Sequence, residues 1–208
     1  MTYIIGGAYK NKILELLKLR EHRSTISHSV AYYDFEEESM FGVNRGRNEI
    51  APSMIDDDTS FYYVCYLDSS IYKGNIQPAS KFIGQWQSDY SEFHLWMKGS
   101  LDPDTIHRIQ VEEDTEETWD LSLLLKHVIR YGVPANIKGR FSCVFCDGQD
   151  IYLFRNEFEP MFYDKDLTIC TIPFQGSEST PPNKILRMDF KKSQLVPTNQ
   201  FSTVKDWI

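Results

Sequence analysis

An α+β fold is what this sequence predicts, on three observations. Strand-like and helix-like segments come in blocks rather than in strict β-α-β-α alternation, which disfavours a doubly wound parallel sheet. Two segments, Lys12–Arg20 and Trp119–Tyr131, carry apolar residues at helical spacing. The runs Arg140–Cys146 and Ile151–Arg155 flank Asp147-Gly148-Gln149-Asp150, and Asp-Gly between β-rich runs signals a hairpin.

In chain order, Tyr3–Ala8 is a short apolar run containing Gly6-Gly7 and reads as a strand that starts almost at the N-terminus. Lys12–Arg20 places Ile13, Leu16 and Leu17 on one helical face. Ser29–Phe35 and Phe61–Leu67 are β-branched and aromatic and read as strands. Phe93–Met97 is another, ending in Lys98-Gly99. The stretch Asp102–Glu117 is polar, with its acidic side chains in the second half. Trp119–Tyr131 sets Leu121, Leu124, Leu125 and Val128 on one face, and Gly132 with Pro134 stops it. Strands are expected over Thr168–Ile172 and Ile185–Phe190, before a polar tail. At 208 residues, 41% of them hydrophobic, the chain can bury a sizeable core, and without repeat or linker residues 1–208 read as one domain.

Charge and motifs narrow the function by exclusion. The 22 basic and 30 acidic residues leave a net charge of −8, too acidic for a duplex-binding surface. No apolar run is long enough for a membrane span, and MTYIIGGAYKNK has no leader character, so a cytoplasmic protein with reduced thiols is expected. Gly42–Gly46 lacks the spacing of a phosphate loop. Glu36–Glu38 and Asp56–Asp58 read as solvated turns rather than a hard-cation site. Cys143 and Cys146 form a C-x-x-C, but residues three apart on a strand face opposite ways, so two core cysteines are expected in place of a metal or redox pair. The five histidines are scattered and read as turn and surface residues; no G-x-S-x-G elbow supports a serine nucleophile beside His22 or His28. The aromatic excess around Tyr32, Tyr33 and Phe61–Tyr66 reads as sheet packing in preference to a single-strand stacking platform.

Several segments, taken in order, resemble the class II glutamine amidotransferase domain, the N-terminal-nucleophile (Ntn) hydrolase module of asparagine synthetases and related enzymes. Met1-Thr2-Tyr3-Ile4-Ile5-Gly6-Gly7 stands where the family opens Met-Cys-Gly-Ile. Leu19-Arg20-Glu21-His22-Arg23-Ser24 is similar to its helix end and His-Arg-Gly turn. Leu95-Trp96-Met97-Lys98-Gly99 resembles the strand that ends in an Asn-Gly oxyanion pair, and Trp119-Asp120-Leu121-Ser122 its Ser-Asp-Thr-Glu helix start. The fullest match is Ile137-Lys138-Gly139-Arg140-Phe141-Ser142, Asp147, Arg155-Asn156 and Pro160-Met161-Phe162-Tyr163, set against Leu-x-Gly-x-Phe-Ala, Asp, Arg-Asp and Pro-Leu-Tyr. The resemblance covers roughly residues 1 to 190 and implies a four-layer αββα sandwich of two mainly antiparallel sheets.

It also implies a site and departures from it. Thr2 replaces the nucleophilic cysteine, and Lys98 replaces the oxyanion asparagine. Arg45 and Arg47 fall early in the interval where the family's carboxylate-binding arginine belongs, and no arginine follows until Arg108. Gly99 and Asp120 match the pattern. The expected pocket is therefore Thr2, Lys98, Gly99 and Asp120, with no metal and no cofactor, and a Lys98–Asp120 salt bridge is expected to close it. A protein that has lost glutaminase activity follows, one that binds or supports a partner: a separate amide synthetase subunit, a second copy, or a small amino-acid ligand. The functional surface would then be exposed aromatic patches. Two alternatives stand beside this. Thr2 can be an N-terminal nucleophile with its own α-amine as base once Met1 is removed, or the chain is an unrelated α+β interaction protein.

Overall fold

The computed structural model describes residues 2–19, 27–47, 49–68, 80–86, 89–132 and 136–200. The Glu21–Ser24 turn, Arg20 and Pro134 lie outside the described residues. In chain order the elements are β1 (Tyr3–Gly7), α1 (Lys10–Lys18), β2 (Ser27–Asp34), β3 (Ser39–Arg47), β4 (Phe61–Asp68), β5 (Ser80–Trp86) and β6 (Asp89–Leu101). There follow α2 (Pro103–Glu112), α3 (Asp120–Tyr131), β7 (Gly139–Cys146), β8 (Ile151–Arg155), β9 (Phe162–Tyr163), β10 (Ile169–Cys170), β11 (Glu178–Ser179), β12 (Ile185–Asp189) and β13 (Gln194–Thr198). They divide into two compact units. One comprises Met1–Pro78, Pro160–Thr180 and Asp189–Gln194; the other comprises Ala79–Glu159, Pro181–Met188 and Leu195–Ile208.

The first unit is a seven-stranded sheet in the order β11-β9-β10-β1-β4-β2-β3. All five residues of β1 are buried, and it pairs antiparallel with β4 on one side and β10 on the other. A strand in that position reads as an unbroken apolar run, as Tyr3–Gly7 does. Helix α1 packs on β1 and buries Ile13 and Leu16. It begins two residues before the expected Lys12, with Lys18 in its last turn, where a cation suits the helix dipole. Lys12 is held between Asp164 and Asp166 of the β9–β10 loop. Burial pulls its ammonium down, but the two carboxylates outweigh that and leave it above its ordinary value. The aromatic run proves to be core: Tyr33, Tyr62, Tyr63 and Tyr66 are all buried.

The second unit is a six-stranded sheet in the order β13-β12-β8-β7-β6-β5. Both sheets are antiparallel and the class is α+β, as predicted. Helix α3 packs on β5 and β6 and buries Leu121, Leu124, Leu125 and Val128, together with Leu123, His127 and Ile129. Each fully buried leucine contributes about 1.5–3 kcal/mol of transfer free energy. Gly132 ends the helix in the left-handed region, its N–H donating to Val128 O at 2.7 Å. The β7–β8 hairpin turns at Asp147-Gly148, where Asp147 Oδ1 accepts the N–H groups of Gln149 (2.9 Å) and Asp150 (2.7 Å).

Three readings need correction. The polar stretch Asp102–Glu117 contains α2: Asp102 is its N-cap, accepting Thr105 N–H at 2.9 Å, and Pro103 opens the first turn. Strands β3 and β5 fall where no strand is expected, and β13 lies in the polar tail. Three of the histidines are interior: His28, His94 and His127 are all buried, with His94 stacked on Trp96 at 5.7 Å. His22 lies outside the described residues. Cys143 and Cys146 are free, buried thiols of β7, and only Cys143 shares the core face with Phe141 and Phe145. Both acidic triplets lie exposed on the surface.

Candidate functional site

The Lys98-Gly99 pair sits near the C-terminal end of β6, a strand far longer than Phe93–Met97 suggests. There β6 is paired antiparallel with β7, Gly99 opposite Phe141 and Leu101 opposite Gly139. Gly99 has φ +106°, and a Cβ on it would lie 1.8 Å from Arg140 O; a Cβ on Gly139 would lie 2.4 Å from Ser100 O. Only glycine allows this approach. At the last paired residue of β6, Leu101 N–H donates to Asp120 Oδ2 at 2.8 Å, which ties the end of β6 to the start of α3. Burial raises the Asp120 carboxyl above its ordinary value, against the lowering effect of the N–H groups that donate to it.

Lys98 Nζ lies 2.9 Å from Glu159 Oε2, and each side chain is only 19% exposed. The Lys98–Asp120 bridge expected from the sequence is therefore replaced by Lys98–Glu159, with the Asp120 carboxylate turned to the backbone of Leu101. Asn156 sets up that exchange. Its Nδ2 donates to Gly139 O at 2.6 Å, while its Oδ1 accepts from Phe141 N–H (3.3 Å), Phe158 N–H (3.2 Å) and Glu159 N–H (3.4 Å). The turn carrying Glu159 is thus pinned to the start of β7, and its carboxylate is delivered to Lys98. Neither Glu159 nor this role of Asn156 was singled out from the sequence. The available signal was the Arg155-Asn156 pair three residues ahead of Glu159.

Lys98, Gly99 and Asp120 all belong to the second unit, where Lys98 pairs with Glu159 and Asp120 bonds the backbone of Leu101. Thr2 is half-buried in the first, directly ahead of β1. Arg45 and Arg47 belong to β3, but their side chains are outside the described residues. Among the described residues no group of three His, Cys, Asp or Glu side chains is placed to hold a metal ion. Nor is any described helix long and apolar enough to cross a membrane.

The Asp120 carboxylate gives a pH test. Its raised value means that the folded state holds the proton more tightly than the unfolded chain does. Stability conferred by that proton is present below the ordinary value of 3.8 and is lost as pH rises through the higher folded value. Asp120→Asn keeps an acceptor for Leu101 N–H and should abolish this dependence. Asp120→Ala should lose about 1–3 kcal/mol at neutral pH by leaving that N–H without its acceptor. Thermal melts of the three proteins between pH 3 and pH 7, roughly the range over which carboxylates titrate, check both expectations.

No family model matches the chain, and no curated protein matches it by sequence. Among solved structures it is similar to the glutamine phosphoribosylpyrophosphate amidotransferase from B. subtilis complexed with ADP and GMP. The TM-score is 0.66 at 13% identity, over 97% of this chain and 49% of that one. A structure described as the allosteric regulatory enzyme of purine biosynthesis gives 0.62 at 12% identity, again over 97% and 49%. The chain spans about half the length of these solved chains. At such identities the likeness speaks to the fold alone, two antiparallel sheets with few helices shared with these amidotransferase chains.

Proposed function

We propose that this is a glutamine amidotransferase-like protein that does not turn glutamine over and acts as a binding or structural partner of another protein. A separate ATP-dependent amide synthetase chain is the partner suggested by the family resemblance. The observation that supports the reading is the Lys98–Glu159 pair, Lys98 being the residue that the family resemblance sets against the oxyanion asparagine. An oxyanion hole works by aiming preorganised donors at the place where negative charge develops. Here the donor at that position is an ammonium already engaged by a carboxylate, so a negative charge stands beside the place where another would have to form. Thr2 in place of cysteine points the same way. A cytoplasmic location belongs to the same proposal and is supported by free thiols on all four cysteines, each of them buried.

The purified chain is expected to release no ammonia from glutamine above a protein-free control. Ammonia release that disappears in Thr2→Ala would overturn the proposal in favour of a threonine nucleophile acting through its free α-amine. Binding of a small amino acid at Lys98, Gly99 and Asp120 without turnover is compatible with this reading. Calorimetry with glutamine or asparagine, repeated on Asp120→Ala, tests that separately.

A further inference from the structure

In the second unit, one row of the sheet sets a cation on either side of a buried hydroxyl. Across β6, β7 and β8, Lys98 lies opposite Ser142 and Ser142 lies opposite Arg155. Directly paired residues project from the same face of a sheet, with Cβ atoms about 4.5–5.5 Å apart. Phe141 and Cys143 belong to the core that α3 covers, so Ser142 and its two neighbours project from the other face. Ser142 is 0% exposed, and its Oγ has no hydrogen-bond partner among the described residues. A buried hydroxyl left in that state costs free energy that a partner would recover. Lys98 Nζ reaches Glu159 Oε2, and Arg155 Nη1 donates to Asn156 O at 3.1 Å. Burial disfavours the charge on the Arg155 guanidinium and holds it below its ordinary value.

We propose that Lys98, Ser142 and Arg155 form a binding site for a small carboxylate, and that Glu159 plugs its Lys98 end until such a ligand displaces it. The chemistry of the row selects the ligand class. An ammonium and a guanidinium only donate, and a serine hydroxyl donates readily, so the three suit an anion that only accepts. The group that Lys98 already holds is itself a carboxylate. Glu157, in the same turn as Glu159, accepts instead from Asn183 Nδ2 at 3.3 Å. Lys98 and Glu159 keep some contact with solvent whereas Ser142 has none, so an incoming carboxylate meets the ion pair first and reaches the hydroxyl as the pair opens. The site shares Lys98 with the glutamine-pocket reading but does not rest on it: strand register and the ion pair carry it, whether or not the protein turns glutamine over.

Calorimetric titration of the full chain with succinate at low salt tests it, with the uncharged succinamide as control and inorganic phosphate as a competing anion. Succinate is expected to bind and succinamide not to. Glu159→Gln removes the internal competitor and should tighten succinate binding by about tenfold or more, a gain that loss of a merely structural ion pair would not produce. Arg155→Met and Ser142→Ala should each weaken binding by about tenfold. Ser142→Ala also separates a ligand group from a structural one. With no partner to lose, it should melt no lower than the wild type in the absence of ligand, and succinate should raise its Tm less. No succinate binding by either the wild type or Glu159→Gln overturns the proposal. So does affinity unchanged in Glu159→Gln, or unchanged in both Ser142→Ala and Arg155→Met. Phosphate bound more tightly than succinate overturns the assignment to carboxylates.

Discussion

Gly99→Ala is expected to lower stability by about 3 kcal/mol or more, a loss of roughly 6–12 °C in Tm for a chain of this size. Two effects add. A residue with a Cβ resists the left-handed backbone at φ +106° by about 1–2 kcal/mol. The new methyl would also lie 1.8 Å from Arg140 O, which belongs to the backbone and cannot turn aside like a flexible side chain. Gly176→Ala separates the two effects. Its φ is +77°, yet a Cβ there meets nothing within 4 Å, so only the backbone term applies, about 1–2 kcal/mol. Equal losses in the two variants would show that a Cβ at position 99 does not meet Arg140 O as described above.

Asn156 should be nearly as sensitive, and its variants report on the Lys98 site. Asn156→Ala removes an acceptor from three backbone N–H groups and a donor from Gly139 O, with an expected loss of about 2–4 kcal/mol. Asn156→Asp keeps the acceptor but sets a carboxylate oxygen against Gly139 O, where the amide now donates at 2.6 Å. Protonation restores a donor, so the folded state holds the introduced proton more tightly than the unfolded chain. The variant should therefore recover stability as pH falls through the carboxyl's raised value, and should differ most from the wild type at neutral pH. Chemical denaturation at about pH 4.5 and pH 7, on either side of that titration, checks the sign; an Asn156→Asp protein as stable as wild type at pH 7 would count against this account of the turn.

Where the sequence reading succeeds, a single local signal is enough. Leu121, Leu124, Leu125 and Val128 repeat at helical spacing and Gly132 follows, and α3 is there. Asp147-Gly148 lies between two β-rich runs, and the hairpin turns there. Where it falls short, the deciding contact is distant or the local signal is diluted. Helix α2 carries its start signature in Asp102-Pro103, but the acidic residues that crowd its end and the turn after it, Glu112 to Glu117, hide the short apolar stripe of Ile106 and Ile109. Strand β3 contains Gly42 and Gly46, and its pairing with β2 shifts register between Ala31 and Tyr32, so no alternation marks it. The burial of His28 and His94 follows from their strands' neighbours in the sheet, which no local window contains. Lys98 meets Glu159 only because Asn156 folds a remote turn back onto β7, so its partner could not be read from the residues around it.

The place of β1 in its sheet bears on how the chain can be made. Of the strands in its sheet this one is synthesised first, yet one of its two edges is completed by β10. Ile5 lies opposite Cys170, Thr171 N–H donates to Ile4 O at 3.1 Å, and Ile4 N–H donates to Thr171 Oγ1 at 3.2 Å. Until residues near 170 have been synthesised, β1 has only β4 to pair with, and its other edge offers unmatched backbone groups to any extended segment nearby. Contacts that span so much of the chain close slowly, because loop entropy is spent before they form. A nascent chain stalled ahead of Cys170 therefore carries an adhesive apolar edge, and holding that edge apart during translation is a task for whatever chaperone meets it.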